Sequence, residues 1–137
     1  MATSLRSLVE EAFADYLVAQ AVTTNVYAGV AAGDKAAPCV VCEAVSAEED
    51  PIDTGNFRVL VRITCKGLAA DGASAFNQTT DNVNRAIYVS TLPTLLQAQA
   101  TGLVVIGIST GGALRWEVDQ DCWTESFELE AYCSCTR

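Results

Sequence analysis

Residues 56–66 read NFRVLVRITCK, and the alternation in this stretch decides the fold class. Apolar residues occupy every second position, and mostly polar residues lie between them. Successive side chains of a β-strand point to opposite faces of a sheet, so this strand has one apolar face and one mostly polar face. The stretch therefore predicts a central strand with a helical cover on its apolar face. The apolar positions are Phe57, Val59, Val61, Ile63 and Cys65.

Two helices are predicted to supply that cover. Residues 4–22 carry apolar side chains at intervals of three and four, which is the pattern of one apolar stripe on a helix. Glu10 and Glu11 lie off this stripe and are predicted to face solvent. A second helix is predicted over residues 74–90. It is predicted to end before Pro93, because proline cannot continue a helix without losing a hydrogen bond.

A short helical turn built on Leu92, Leu95 and Leu96 is predicted to end by Ala98, and the remaining regular segments are predicted to be strands. Gly111 and Gly112 are predicted to form a hairpin turn between two of them. Together the elements predict an α+β fold in a single domain spanning residues 1–137. Its mixed, mainly antiparallel sheet carries the N-terminal helix and the second, central helix on one face. The predicted additional strands are residues 25–29, 39–45, 102–108, 114–118 and 123–135.

An acidic segment follows the second predicted strand. Residues 46–55 contain four carboxylates, and they are predicted to form a loop that joins strands 39–45 and 56–66 as an extended hairpin. The spacing does not match a calcium loop, in which ligands alternate around a required glycine. The segment therefore predicts a solvated loop or a contact with another protein. Its carboxylates are Glu48, Glu49, Asp50 and Asp53.

Opposite charges lie on the polar faces of the two longest predicted strands. Arg58 and Arg62 belong to one strand, and Glu128 and Glu130 belong to the other. If the strands are antiparallel neighbours, each opposed pair contributes roughly 0.2–1 kcal/mol. The same face is equally suited to contact another copy of the chain. The sequence leaves both interpretations open.

The composition excludes several classes of function. The net charge is −9 and no basic stripe offsets it, which disfavours direct binding of nucleic acid. No apolar run approaches the roughly 20 residues needed to cross a bilayer, so no membrane segment is expected. The N-terminus lacks a basic leader before an apolar block, so no signal peptide is expected.

The reactive side chains do not form a recognisable catalytic set. The chain has no histidine, which excludes Ser-His-Asp and Cys-His pairs, and no enzyme or cofactor is predicted. The six cysteines are predicted to be buried, reduced thiols, and no metal is expected. A small metal-binding module is the alternative from another class. It would use Cys39, Cys42, Cys133 and Cys135.

The order of the elements resembles the tail terminator, or tail completion, proteins of long-tailed bacteriophages, the lambda-type family. The similarity covers nearly the whole chain and rests on element order, length and spacing. The order is an amphipathic N-terminal helix, a strand at Val26-Tyr27, a loop, a strand at 38–41, an acidic hairpin and the long alternating strand. A helix around 82–88, a hairpin and a closing strand at 127–129 complete it.

The resemblance implies a structural virion protein located at the neck, at the junction of head and tail, and assembled in the host cytoplasm. Such a protein forms a hexameric ring that caps the tail tube and binds both the tail tube protein and the head-side connector. DNA passes through the lumen without specific binding. A head–tail connector, stopper or neck subunit and a monomeric host-interacting binding protein remain alternatives. The ring-to-ring contact is expected at Glu48, Glu49, Asp50, Asp53, Gly33 and Asp34.

Overall fold

The computed structural model describes most of the chain as three helices and six strands. The described residues are 4–22, 25–29, 38–49, 55–68, 70, 72–100, 102–110, 115–119 and 122–135. The helices are α1 (Leu5–Ala19), α2 (Ala73–Ile87) and α3 (Leu92–Gln99). The strands are β1 (Val26–Ala28), β2 (Cys39–Glu49), β3 (Phe57–Leu68), β4 (Leu103–Thr110), β5 (Arg115–Asp119) and β6 (Cys122–Cys135).

The six strands form one mixed sheet in the order β1-β2-β3-β6-β4, with β5 also paired to β6. Strand β1 runs parallel to β2, and every other pairing is antiparallel. The predicted α+β fold with a mixed, mainly antiparallel sheet is confirmed. The long alternating strand, β3, lies in the interior of the sheet between β2 and β6.

The alternation in β3 produces the predicted two faces. Val59, Val61 and Ile63 are fully buried on the inner face, which packs against the helices, and Phe127 and Leu129 of β6 extend the same apolar surface. Hydrophobic burial is worth about 25 cal/mol per Å² of apolar area, so this layer is the main source of stability. The helical side of the core is formed by Val9, Phe13, Tyr16, Leu17, Phe76, Val83, Ile87 and Leu96.

Specific contacts fix the helices on the sheet. Ser4 caps α1 by accepting a hydrogen bond from the Ser7 backbone N–H at 3.1 Å. The buried Tyr16 hydroxyl donates to the backbone carbonyl of Ala86 and so ties α1 to α2. Gly67 permits a close approach, because a Cβ there would lie 2.7 Å from Cδ1 of Phe76 on α2. Among the described helices, none has both the length and the apolar composition needed to span a membrane.

Two sequence predictions about connections were wrong. The loop predicted over 46–55 begins later, because β2 continues to Glu49, with Glu48 opposite Arg58 and Glu49 opposite Phe57. Acidic side chains do not end this strand, since they lie on the solvated part of the sheet. Asp50 and Asp53, like Gly33 and Asp34, lie outside the described residues.

The second correction concerns the predicted hairpin at Gly111-Gly112. That glycine pair lies outside the described residues, but both strands that flank it are described. Strands β4 and β5 each run antiparallel to β6. Because β3 occupies the other side of β6, β4 and β5 lie one after the other along the same side and point the same way. They are two parts of one interrupted edge and not the arms of a hairpin.

Candidate interaction surface

The outer face of the sheet, which points away from the helices, carries a row of charged side chains. Arg62 pairs with Glu128 across β3 and β6, with 3.3 Å between Nη2 and Oε1. Arg58 pairs instead with Glu48 of β2, with 3.2 Å between Nη2 and Oε2. These side chains remain substantially exposed, so water screens each pair and neither contributes much to the stability of the fold.

A shallow depression lies beside the Arg58 pair. Its volume is about 150 Å³. Glu130 lies opposite Leu60 in the register and not opposite an arginine, but its charge acts on Arg58. The hydrogen bond to Glu48, followed by that to Tyr132 and the charge of Glu130, raises the pKa of Arg58. The part of the outer face around Arg58 is therefore a cross-linked, solvated surface with both signs of charge, whereas Val41 and Thr64 are buried farther along the same face. The depression is lined by Ser46, Glu48, Arg58, Leu60 and Glu130.

The structure thus brings together the arginines and glutamates that the sequence analysis singled out. Arg62 and Glu128 face each other directly, and Arg58 and Glu130 lie in the same depression. A contact of this face with another copy remains a prediction. Of the residues expected at the ring-to-ring contact, Glu48 and Glu49 are described and lie at the end of β2.

Glu10 of α1 holds β2 in place just before its acidic end. Its Oε2 atom accepts a hydrogen bond from the backbone N–H of Ala44 at 2.9 Å. The Val40 N–H donates to Asn25 on the β1 side of β2, and the Ala44 N–H points to the same side, past the last β1 pair at Ala28 and Cys42. The carboxylate on α1 supplies the acceptor for this N–H. The prediction that Glu10 is only a solvated helix side chain was therefore wrong.

The edge strand β4 also carries exposed apolar side chains. Val104 and Ile106 are substantially exposed. The register between β4 and β6 shifts between Val105 and Gly107, so Ile106 lies in a bulge. Gln97 of α3 contacts this edge twice: its Nε2 donates to the Leu103 carbonyl at 2.9 Å, and its Oε1 accepts from the Val105 N–H at 2.7 Å.

The helical side carries a groove between α1, α2 and α3. Its volume is about 300 Å³, and Arg85 provides its positive charge. Val89 and Leu95 are partly exposed beside it. The groove is lined by Tyr16, Gln20, Ala21, Asn82, Arg85, Ala86, Val89 and Leu95.

The described cysteines have the environment of core side chains. Cys39, Cys42, Cys65 and Cys133 are buried thiols that are not joined in disulfides. Burial, followed by the negative charges of Glu10 and Glu43, raises the pKa of Cys42, and burial together with Glu125 raises that of Cys65. A neutral thiol is a poor nucleophile and a poor metal ligand.

The cysteines considered as metal ligands do not come together in the sheet. Cys39 is opposite Lys66 and Cys42 is opposite Ile63, so these two cysteines occupy opposite faces of β2. Among the described side chains, no group of three or more potential ligands comes together. The side chain of Cys135 lies outside the described residues.

Comparison with known structures finds a similarity in fold. No family model matches the chain. No curated protein matches it. The chain is similar in structure to a chain from the virion of a native gene transfer agent particle, with a TM-score of 0.64 and 18% sequence identity. The similarity covers 96% of this chain and 99% of the other. It shows that the two chains share a fold over nearly their full lengths.

Proposed function

We propose that this chain is a structural protein of a phage-like virion, located at the junction of head and tail. It forms a hexameric ring that caps the tail tube, ends tube growth and joins the tail to the head-side connector. The observation that carries the proposal is the structural similarity to a gene transfer agent virion chain over 96% of this chain and 99% of the other. In this proposal, residues 1–137 form a single domain that acts in assembly and has no enzymatic role.

The negative net charge of the chain supports the proposal that DNA slides through the ring. The net charge is −9, and the outer-face arginines Arg58 and Arg62 are already paired with glutamates. Binding of DNA draws its strength from cations that neutralise phosphates and release counterions. A wall with few available cations does not grip the backbone. DNA therefore passes through the lumen of the proposed ring without specific binding.

The contacts with neighbouring rings are proposed at the end of the β2–β3 hairpin. Glu48 is exposed and Glu49 accepts a hydrogen bond from the Gly55 N–H at 3.1 Å. These contacts hold the acidic end of β2 to the start of β3. The complete proposed contact consists of Glu48, Glu49, Asp50, Asp53, Gly33 and Asp34.

A reconstitution experiment tests the proposal and separates a terminator from a connector or stopper. The full-length chain is mixed with purified tail tubes and, separately, with portal-bearing heads, and complexes are counted by electron microscopy. Native mass spectrometry of the free chain measures the number of copies per assembly. We expect a hexamer that binds the ends of tubes. Binding to the portal and not to the tube would identify a connector, whereas a zinc-loaded monomer would show a metal-binding module.

A further inference from the structure

Strand β4 is an edge strand that contains neither a charged residue nor a proline. It contains eight residues, none of them charged. Val104 leaves 42% of its surface exposed and Ile106 leaves 54%. Edge strands are commonly protected by charged residues, proline or short length, because their unpaired N–H and C=O groups form a template for another strand. An uncharged apolar edge of this length favours the addition of a strand.

The first part of the edge is closed from within the chain. The side-chain amide of Gln97 donates to the Leu103 carbonyl and accepts from the Val105 N–H, at 2.9 and 2.7 Å. It therefore supplies the pair of hydrogen bonds that a neighbouring strand would make. Within the described part of the chain, no comparable contact reaches the outer edge of residues 106–110. The edge that stays open is about as long as a short strand.

The opposite edge of the sheet, strand β1, is also uncharged. Strand β1 contains three residues and pairs with β2 on one side. No residue from 25 to 29 is charged. The charged pairs of the sheet lie on the outer face of β2, β3 and β6, between the two edges. A carboxylate brought against Val104 or Ile106 would lose its water without gaining a partner, so an uncharged strand fits this edge best.

We propose that residues 106–110 of β4 receive strand β1 of a second copy of the chain, so that the sheet continues from one subunit to the next. This inference rests on the proposed ring. A closed ring of identical subunits joins two different surfaces at each contact, whereas pairing of β4 with β4 would end in a two-fold dimer. The sheet offers two different edges, and Gln97 limits the open part of β4 to five residues, enough to pair with the three residues of β1.

Two substitutions with closely matched exposure test the proposal. Ile106→Lys places a charge at the open edge, and Val18→Lys places one on α1, where the exposure is 56%. On full-length protein, native mass spectrometry measures assembly against concentration, and circular dichroism verifies the fold. We expect Ile106→Lys to raise the concentration needed for assembly at least about tenfold, while Val18→Lys changes it little.

Hydrogen exchange of the wild-type protein provides an independent measurement that needs no substitution. Amides in 25–29 and 106–110 should exchange more slowly in the ring than in dissociated subunits. Suppose that Ile106→Lys forms the ring as well as the wild type does, and that the two segments gain no protection in the wild-type ring. This result would overturn the strand contact and leave the proposed ring intact. A two-fold dimer that depends on Ile106 would overturn the role of β1. A wild type that stays monomeric even with tube ends would remove both the ring and the contact.

Discussion

At the scale of single residues, Glu10 shows how a position off the apolar stripe becomes structural. The helical pattern places Glu10 off the apolar stripe, where charged residues are usually solvated. The pattern does not report that β1 stops pairing with β2 at Cys42, which leaves the Ala44 N–H to the Glu10 carboxylate. This hydrogen bond joins an element of the helical layer to a strand 34 residues away in the chain. Periodicity within α1 cannot report it.

Replacing Glu10 tests this interpretation. Ala44 is 3% exposed, so Glu10→Ala would leave a shielded backbone donor without its acceptor. We expect a loss of about 1–3 kcal/mol in the free energy of unfolding. Urea unfolding followed by circular dichroism measures the loss, and Glu10→Gln, which keeps an acceptor oxygen, should lose less. The control is Glu11→Ala at the exposed neighbouring position. Equal losses at the two positions would contradict a specific role for Glu10.

At the scale of elements, the strands were predictable wherever one face is buried. Burial on a single face imposes an alternation of period two, and β3 and β6 show it along most of their lengths. The end of β2 was missed because Glu48 and Glu49 have a loop-like composition. Their pairing partners on β3 extend the strand regardless, since that end of the sheet is solvated. Pairing with a neighbour, which composition does not encode, decides where such a strand ends.

The contact between α3 and β4 gives a prediction at the same scale. Gln97→Ala removes two hydrogen bonds to the edge of β4, and Gln99→Ala alters an exposed position two residues later on the same helix. We expect Gln97→Ala to lower the free energy of unfolding by about 1–2 kcal/mol, because the released backbone groups regain water. The opened edge should also increase self-association. Chemical unfolding and sedimentation velocity measure the two effects.

The charged variant Gln97→Glu separates the two hydrogen bonds. A carboxylate keeps the acceptor for the Val105 N–H but cannot donate to the Leu103 carbonyl. Its stability should fall between those of the wild type and Gln97→Ala if both bonds contribute, and its negative charge should suppress the extra association. If Gln97→Ala and Gln99→Ala behave alike in both measurements, the amide does not close the edge.

At the scale of the whole molecule, the sequence contains more information about the fold than about the contacts between molecules. The core forms within one chain, so its two faces leave a periodic pattern in that chain. A contact between copies joins positions such as Ile106 and strand β1 that have no periodic relation in sequence. The exposed apolar edge became visible only when the register placed β4 at the end of the sheet.

The acidic end of the β2–β3 hairpin gives the prediction for the assembled particle. Removing residues 48–53 would also remove the ion pair of Glu48 with Arg58 and the hydrogen bond of Glu49 with Gly55, so a deletion mixes folding with docking. Asp50→Asn with Asp53→Asn leaves both contacts in place and removes two negative charges. Glu11→Gln with Asp15→Asn removes the same number of charges from exposed positions of α1.

If the hairpin end docks on the neighbouring ring through its charge, the two double variants should separate clearly. Both should form rings of wild-type mass, because neither alters a strand edge. The Asp50 and Asp53 variant should join tails to heads less often, and the Glu11 and Asp15 variant should join them at the wild-type frequency. Electron microscopy of mixed heads and tails gives that frequency. Equal joining by both would place the docking surface elsewhere, since a general loss of negative charge affects the two variants alike.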